Sequence, residues 1–222
     1  VGGGVACLNG ASPTLRNCVI NLNYATDGAG IYVSLGATSQ GARIMRDSIT
    51  LNTATNDGGG VYIELMPNLE TASAPQFSRV RIAGNTAGRS GGGLFASTGT
   101  SPSMTHSWVD SNDALTLDGG GVCFSGTVDG RIDSSMLRGN SCAFDGGGLA
   151  IQDGIGTDVQ HTTISLNEAL NGSGGGIYDD SWDPDTFGPS RFENDLIVGN
   201  TASGPGGGLR CRGLAPLGDF CT

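Results

Sequence analysis

The chain has 222 residues and a formal net charge of −10, and all eleven of its basic residues are arginines. This acidic balance disfavours nucleic acid as a partner, because phosphate binding needs a basic stripe. No run of 18 apolar residues is present, so no membrane span is predicted. Composition does not change along the chain, and the simplest prediction is one domain over residues 1–222.

From its first residues the chain repeats one short pattern, a glycine run followed by an aliphatic residue. The runs occupy residues 2–5, 58–61, 91–94, 119–122, 146–149, 174–177 and 206–209, with an imperfect copy at 28–31. Their third glycines are 26 to 33 residues apart. Such self-similarity predicts one structural unit stacked on copies of itself.

Each unit contains three short apolar segments separated by turns. Seven asparagines precede the third glycine of a run, and the residues three and eight positions before each asparagine are always apolar. This spacing has no helical period and indicates a coil of about three short strands. A coil of about 29 residues cannot bury its own apolar face, but stacked coils line a continuous core. We therefore predict an all-β fold, a right-handed single-stranded parallel β-helix (β-solenoid) of about seven to eight coils.

The repeated asparagines and glycines both have architectural explanations. Asparagine tolerates the left-handed conformation, and its amide can pair with copies in the neighbouring coils, which predicts an asparagine ladder. The ladder would contain Asn23, Asn52, Asn85, Asn112, Asn140, Asn167 and Asn200. Glycine supplies a positive φ and a tight turn where no Cβ fits. A phosphate-binding loop is the alternative, but such a loop occurs once, with a lysine or a ribose-binding acid, and this chain has no lysine.

The segment 49–62, Ile-Thr-Leu-Asn-Thr-Ala-Thr-Asn-Asp-Gly-Gly-Gly-Val-Tyr, resembles the repeats of bacterial right-handed parallel β-helix proteins of the polymorphic outer membrane protein type. The hallmark of that type is a strand ending in Asn and followed by Gly-Gly-aliphatic, and the resemblance covers essentially the whole chain. This chain departs from it with a third glycine where the type usually has alanine, and with Ile, Val or Leu where it usually has Phe. The resemblance implies the β-helix but no activity, because adhesins, passenger domains and polysaccharide enzymes share the fold.

Six cysteines occur as three neighbouring pairs in the sequence. No Cys-x-x-Cys motif is present and there are only two histidines, so a zinc site is not predicted. The even number predicts disulfides, with sequential pairing of Cys7–Cys18, Cys123–Cys142 and Cys211–Cys221 as one of the connectivities that six cysteines allow. Disulfides persist in oxidising compartments, so we expect an extracellular or cell-surface location for a secreted protein.

Three insertions, around residues 34–40, 64–74 and 179–190, leave from the same edge of the coils, where functional loops tend to lie. The third contains Asp179, Asp180, Trp182, Asp183 and Asp185. We favour a plain acidic surface loop. The alternatives are a Ca²⁺ site formed by the four aspartates and a ligand-binding groove that also uses the tryptophan.

Two further columns of side chains are predicted to line up along the coils. Asp27, Asp57, Asp118 and Asp145 each lie three residues before a third glycine. We favour hydrogen bonds from backbone N–H groups over a shared cation as the explanation of this column. The residue after each glycine-aliphatic step forms a broken aromatic stripe, for which stacking between coils is favoured over a contact surface. The stripe contains Tyr32, Tyr62, Phe95 and Tyr178.

No catalytic set can be assembled from the sequence. Inverting glycosidases need carboxylates on both sides of a cleft, and only Asp179-Asp180 matches one element of the β-helix pectinase pattern. His106 and His161 share a position but lie two coils apart, at about 9.6 Å, too far for one to activate the other. No cofactor is predicted apart from the Ca²⁺ alternative.

We therefore predict an extracellular structural or adhesive β-solenoid without catalysis. Because strand-like sequence begins at Val1 without a cap before it, we expect coil stacking at the ends, head to tail, to form a filament or surface layer. A carbohydrate or surface ligand is a further candidate partner. The alternative is a polysaccharide lyase or hydrolase that uses the acidic loop 179–185.

Overall fold

The computed structural model describes residues 1–36, 41–66, 75–126, 130–153, 156–181 and 190–212, together with the backbone of residues 217–219. Regular structure in these ranges consists of short β-strands. None of the described segments forms a helix that is long and apolar enough to cross a membrane.

The first four coils contain β1 (Val5–Cys7), β2 (Thr14–Arg16), β3 (Val19–Asn21), β4 (Tyr24–Ala25), β5 (Ile31–Leu35), β6 (Arg43–Met45), β7 (Ser48–Thr50), β8 (Thr53–Ala54), β9 (Val61–Leu65), β10 (Gln76–Ser78), β11 (Arg81–Ala83), β12 (Thr86–Ala87), β13 (Leu94–Ala96), β14 (Ser103–Thr105), β15 (Trp108–Asp110) and β16 (Asp113–Ala114). The remaining strands are β17 (Val122–Ser125), β18 (Arg131–Asp133), β19 (Met136–Arg138), β20 (Ser141–Cys142), β21 (Leu149–Gln152), β22 (Asp158–Gln160), β23 (Thr163–Ser165), β24 (Glu168–Ala169), β25 (Ile177–Asp180), β26 (Arg191–Glu193), β27 (Leu196–Val198), β28 (Thr201–Ala202), β29 (Leu209–Cys211) and β30 (Leu217–Asp219).

Every fourth strand joins the same parallel sheet, which makes the fold a parallel β-solenoid of about six turns. Sheet A begins with β1, sheet B with β2, sheet C with β3 and sheet D with β4, and they contain eight, eight, seven and seven strands. Each strand pairs in register with its copies in the coils before and after, as Ile44 does with Phe77 and Phe77 with Met104. The predicted all-β solenoid is confirmed, whereas its handedness and exact number of coils stay predictions.

The core lies inside the coil and is built from the middle residues of the strands. In sheets B and C these three-residue strands alternate outward, inward, outward, so that one apolar side chain per strand enters the core. Phe77 of β10, Ile82 of β11 and Leu94 of β13 are at most 1% exposed, and their equivalents in the other inner coils are also buried. The apolar positions predicted from the asparagine spacing are therefore the core.

The coils turn at corners where the backbone adopts positive φ. One such residue opens each glycine run, for example Gly58 at φ 66°, and another precedes each ladder asparagine, for example Leu51 at φ 56°. A Cβ at Gly60 would lie 2.5 Å from the carbonyl oxygen of Gly93 in the next coil. The glycine prediction is confirmed, but the left-handed corner residue was wrongly placed at the asparagine. The asparagine side chain must point inward to pair, so the residue before it makes the turn.

Candidate functional site

The predicted asparagine ladder is present. In each step the side-chain oxygen of one asparagine accepts hydrogen bonds from the backbone and the side chain of the asparagine one coil earlier. Asn112 Oδ1 accepts from Asn85 N at 3.0 Å and Asn85 Nδ2 at 2.9 Å, while Asn112 Nδ2 donates to Asn140 Oδ1 and to Ile82 O, both at 3.0 Å. The Asn112 amide is buried and each of its donors and acceptors is bonded within the scaffold. The buried asparagines of the inner coils therefore have no capacity left for a ligand.

A second polar ladder, not anticipated from the sequence, lies at the corner between sheets B and C. It uses the residue five positions before each asparagine, where the side-chain acceptors are Asp47, Ser107, Ser135, Thr162 and Asp195. Val80 occupies the same position and interrupts the ladder. Ser107 Oγ accepts from Val80 N at 3.1 Å, and Ser135 Oγ accepts from Ser107 N at 3.1 Å. The constant distance of this position from the asparagine could have revealed the ladder in the sequence. The residue type at that position varies from coil to coil, so the pattern was not recognised.

Aspartates occupy two positions of this corner ladder. Asp47 Oδ1 accepts from Cys18 N at 2.6 Å, and Asp195 accepts from Thr162 N at 2.7 Å and from Glu193 N at 3.1 Å. The Asp195 side chain is only 1% exposed. Burial raises the pKa of Asp195 to about 6, and the two backbone N–H groups only partly offset that effect. The Asp195 carboxylate therefore has a structural role, because it binds backbone N–H groups at the corner between sheets B and C.

The aspartate column before the glycine runs also binds backbone. Asp57 Oδ1 accepts from Ser90 N at 2.9 Å, Asp118 Oδ1 from Asp145 N at 2.7 Å and Asp145 Oδ1 from Ser173 N at 2.6 Å. Asp27 makes the same contact with Asp57 N at 3.4 Å. The favoured explanation, hydrogen bonds from backbone N–H groups, is confirmed, and the donors lie just before the glycine run of the next coil. Across the described ranges, no group of three His, Cys, Asp or Glu residues is placed to hold a metal ion.

The three insertions all connect sheet A to sheet B, as expected, but most of the acidic loop lies outside the described residues. This applies to Trp182, Asp183 and Asp185. The other two aspartates are neighbours in β25 and therefore point to opposite faces. Asp179 is buried and accepts hydrogen bonds from the backbone and hydroxyl of Ser181, whereas Asp180 Oδ2 lies 3.9 Å from Arg212 Nη1. Asp179 and Asp180 therefore lie on opposite faces of the strand and have different partners.

The cysteines require a correction, because Cys7, Cys18, Cys123, Cys142 and Cys211 are all free thiols. Cys7 lies in sheet A and Cys18 at the B–C corner. Cys123 occupies an outward position of sheet A, whereas the Cys142 thiol donates to Asp145 O at 3.3 Å in the sheet D turn. The predicted disulfides Cys7–Cys18 and Cys123–Cys142 are therefore not formed. For Cys211–Cys221, the second cysteine lies outside the described residues.

The aromatic stripe is stacked as predicted at Tyr32, Tyr62 and Phe95, whereas Tyr178 lies between Ala150 and Arg210. The rings of Tyr32 and Tyr62 have centroids 5.4 Å apart and are parallel within 1°, and Tyr62 and Phe95 follow at 5.3 Å and 10°. Tyr32 also donates its hydroxyl hydrogen bond to Glu64. Burial and this carboxylate raise the pKa of Tyr32 well above its ordinary value. The stripe therefore holds coils together on sheet A.

His161 has polar neighbours, but their arrangement does not activate a nucleophile. Its Nδ1 lies 3.4 Å from Asp133 Oδ1, and Ser134 Oγ donates to the same oxygen at 2.9 Å. Burial alone would raise the pKa of Asp133, but hydrogen bonds from Arg131, Ser134 and His161 outweigh it and lower the pKa. Serine and histidine both bind the aspartate instead of each other, so the serine lacks a base.

Two surface grooves on the outer face of sheets B and C are candidate binding sites among the described residues. The first, of about 300 Å³, is lined by Arg79, His106, Trp108, Ser134 and Met136 with two buried serines of the corner ladder. The second, of similar volume, lies further along sheet C and is lined by Arg81, Asp110 and small residues. Arg81 and Asp110 form an ion pair at 3.3 Å there. The sequence reasoning missed both, because they use outward positions that vary between coils.

Comparison with known proteins adds no assignment. The chain matches no protein-family model, no curated protein and no solved structure.

Proposed function

We propose that the protein is an extracellular structural or adhesive β-solenoid without a catalytic role. The observation that carries this proposal is the use of its repeated polar residues. The ladder asparagines and the aspartate column form their hydrogen bonds with residues of neighbouring coils, as Asn112 and Asp118 do. A chain that commits its recurring polar groups to coil-to-coil contacts is suited to be a stiff scaffold that presents its faces.

An extracellular location and head-to-tail self-association are parts of this proposal. Because the described cysteines are free thiols, disulfides no longer support an oxidising compartment. The proposed location therefore rests on the resemblance of the repeats to those of secreted β-helix proteins. Self-association is suggested by the repeat itself, because a coil stacks on any copy of a coil in register.

Light scattering after size-exclusion chromatography, with electron microscopy of the same fractions, tests self-association. We expect oligomers whose length grows in steps along the coil axis. A protein that stays monomeric at high concentration would end the filament proposal and leave the scaffold role.

Incubation of the purified chain with acidic polysaccharides tests the absence of catalysis. We expect no new reducing or unsaturated sugar ends. Sugar release that disappears in Asp180→Asn would overturn the proposal and establish the alternative, a polysaccharide lyase or hydrolase that uses the acidic loop. The matched control is Asp113→Asn, which removes a carboxylate from sheet D.

A further inference from the structure

The arginines are not spread evenly over this acidic molecule. Eight of the eleven lie on sheets B and C or at the corner between them: Arg16, Arg43, Arg46, Arg79, Arg81, Arg131, Arg138 and Arg191. Of these, Arg81, Arg131 and Arg191 pair with carboxylates on the same face. The other five make no ion pair with any residue that the structure describes. One face of a chain with net charge −10 therefore carries unneutralised positive charge.

The strongest concentration of this charge lies along the corner itself. Arg46, Arg79 and His106 occupy equivalent positions in three consecutive coils, as the hydrogen bonds Arg46 N to Ser78 O (2.9 Å) and Arg79 N to Thr105 O (3.0 Å) show. All three have left-handed backbone, at φ 59°, 56° and 51°, and exposed side chains. The arginine side chains of this column, stacked about one coil spacing apart, repel each other unless an anion lies over them. We call Arg43, Arg46, Arg79 and His106 the basic strip.

The strip leads into the first groove, whose chemistry suits a ring that carries a negative charge. Trp108 is 47% exposed and lies in sheet C between Arg81 and Met136, so its ring is available for stacking. Arg79 and His106 line the same groove, no carboxylate lines it, and Ser134 lines it with a hydroxyl that donates to Asp133 at 2.9 Å. An aromatic face next to a cation can hold a sugar ring by stacking and its acidic group by charge-assisted hydrogen bonds.

We infer that this face binds a linear acidic polysaccharide laid along the solenoid axis, with one sugar ring on Trp108 and its anionic groups over the basic strip. The inference rests on the proposed adhesive role and names its ligand class. Arginines in consecutive coils, about 4.8 Å apart along the axis, suit a polymer with one carboxylate per sugar ring. Duplex nucleic acid carries one charge per about 1.7 Å, far denser than the strip, and would also cover Asp110 and Asp133.

Binding of polygalacturonate, with dextran as the neutral control, tests the inference at two salt concentrations. We expect polygalacturonate to bind, dextran not to bind, and affinity to fall as salt rises. The double variant Arg46→Gln/Arg79→Gln should lose affinity about tenfold or more, and Trp108→Ala about threefold or more. The matched control is Arg89→Gln/Arg212→Gln, which removes the same charge from other faces and should change affinity less than about twofold.

Each outcome decides between the proposals. The ligand proposal would be overturned if polygalacturonate did not bind, or if the control double variant lost as much affinity as Arg46→Gln/Arg79→Gln. The proposed scaffold role would stand in either case. Tighter binding of a single-stranded oligonucleotide than of polygalacturonate would reassign the face to nucleic acid. Cleavage of the bound polysaccharide would instead overturn the non-catalytic role. Circular dichroism of every variant confirms that the coils are intact.

Discussion

At the scale of single residues, the buried polar groups hold the coils in register. A core of apolar side chains tolerates small shifts between coils, because hydrophobic burial has no direction. A hydrogen bond has strict geometry, so an amide such as Asn112 that bonds both neighbouring coils allows only one register. The polar ladders therefore specify the stacking that the apolar core stabilises.

Replacing Asn112 by alanine should reduce the free energy of unfolding by about 3 kcal/mol or more, because buried partners in both neighbouring coils lose their hydrogen bonds. Those partners include Asn85 Nδ2 and Asn140 Oδ1. Denaturant unfolding measures the change. Asn23→Ala is the control, since the Asn23 side chain is half-buried and donates only to Asn52, and it should cost less than half as much. Equal costs would show that the ladder is not cooperative.

Asp195 is expected to make stability depend on pH. Its folded pKa of about 6 lies above the ordinary 3.8, so its contribution is fully present below pH 3.8 and is lost as pH rises through about 6. In Asp195→Asn, the change in melting temperature between pH 5 and pH 7 should become smaller. Asp110→Asn, at an exposed ion pair, should keep the wild-type change. An unchanged pH dependence in Asp195→Asn would contradict the assignment.

At the scale of elements, the glycine runs before the last one are turns packed directly against the next coil. A Cβ at Gly93 would lie 2.5 Å from Gly121 O, and that oxygen belongs to backbone which cannot move without shifting a coil. Gly139 also has positive φ, at 61°, but the nearest atom to a Cβ there is Ser111 Oγ at 3.9 Å. Substitution of Gly93 by alanine therefore measures the cost of a steric clash, and substitution of Gly139 measures the cost of left-handed backbone.

Gly93→Ala should destabilise the protein by about 3 kcal/mol or more through overpacking, whereas Gly139→Ala should cost about 1–2 kcal/mol for the left-handed backbone alone. Urea unfolding of both variants gives the comparison. If Gly139→Ala proved the more damaging change, close contact between glycine runs would not be what limits the turn.

The sequence predicted those features that recur with fixed residue type. The apolar core positions, the asparagine ladder and the aspartate column follow from period alone, since every coil repeats the same environment. The corner ladder was missed because Ser107, Thr162 and Asp195 satisfy the same backbone group with different side chains. The Cys7–Cys18 and Cys123–Cys142 disulfides were wrong because an even number of cysteines does not indicate which of them lie close together. The Trp108 groove depends on outward residues, which the repeat leaves free to vary.

At the scale of the whole molecule, the inward-held acids bind backbone while the unpaired arginines face solvent. Asp57 at a sheet A turn and Asp195 at the B–C corner accept backbone N–H groups, and the unpaired arginines lie exposed on sheets B and C. A net charge of −10 destabilises the compact state by self-repulsion. The basic strip on sheets B and C is the surface where we propose that an acidic polysaccharide binds.

The protein as a whole should be more stable at mildly acidic pH than at neutral pH. Burial raises the pKa of Asp57, Asp118, Asp179 and Asp195, so the folded state binds protons that the unfolded state releases above pH 3.8. Asp133 has a lowered pKa and stabilises the fold only above its ordinary range. Melting temperature at constant ionic strength should rise from pH 7 to pH 5. A fall over that interval would contradict the burial of these acids.

Hydrogen exchange at the ladder amides tests most directly whether the repeated asparagines are scaffold. The backbone N–H groups of Asn52, Asn85, Asn112 and Asn140 each donate to the side-chain oxygen of the next asparagine at 3.0 Å. We expect these amides to exchange only when the whole solenoid unfolds, with the same free energy for all four. Exchange as fast as in an exposed loop, or a different free energy at each coil, would contradict a scaffold held by one continuous ladder.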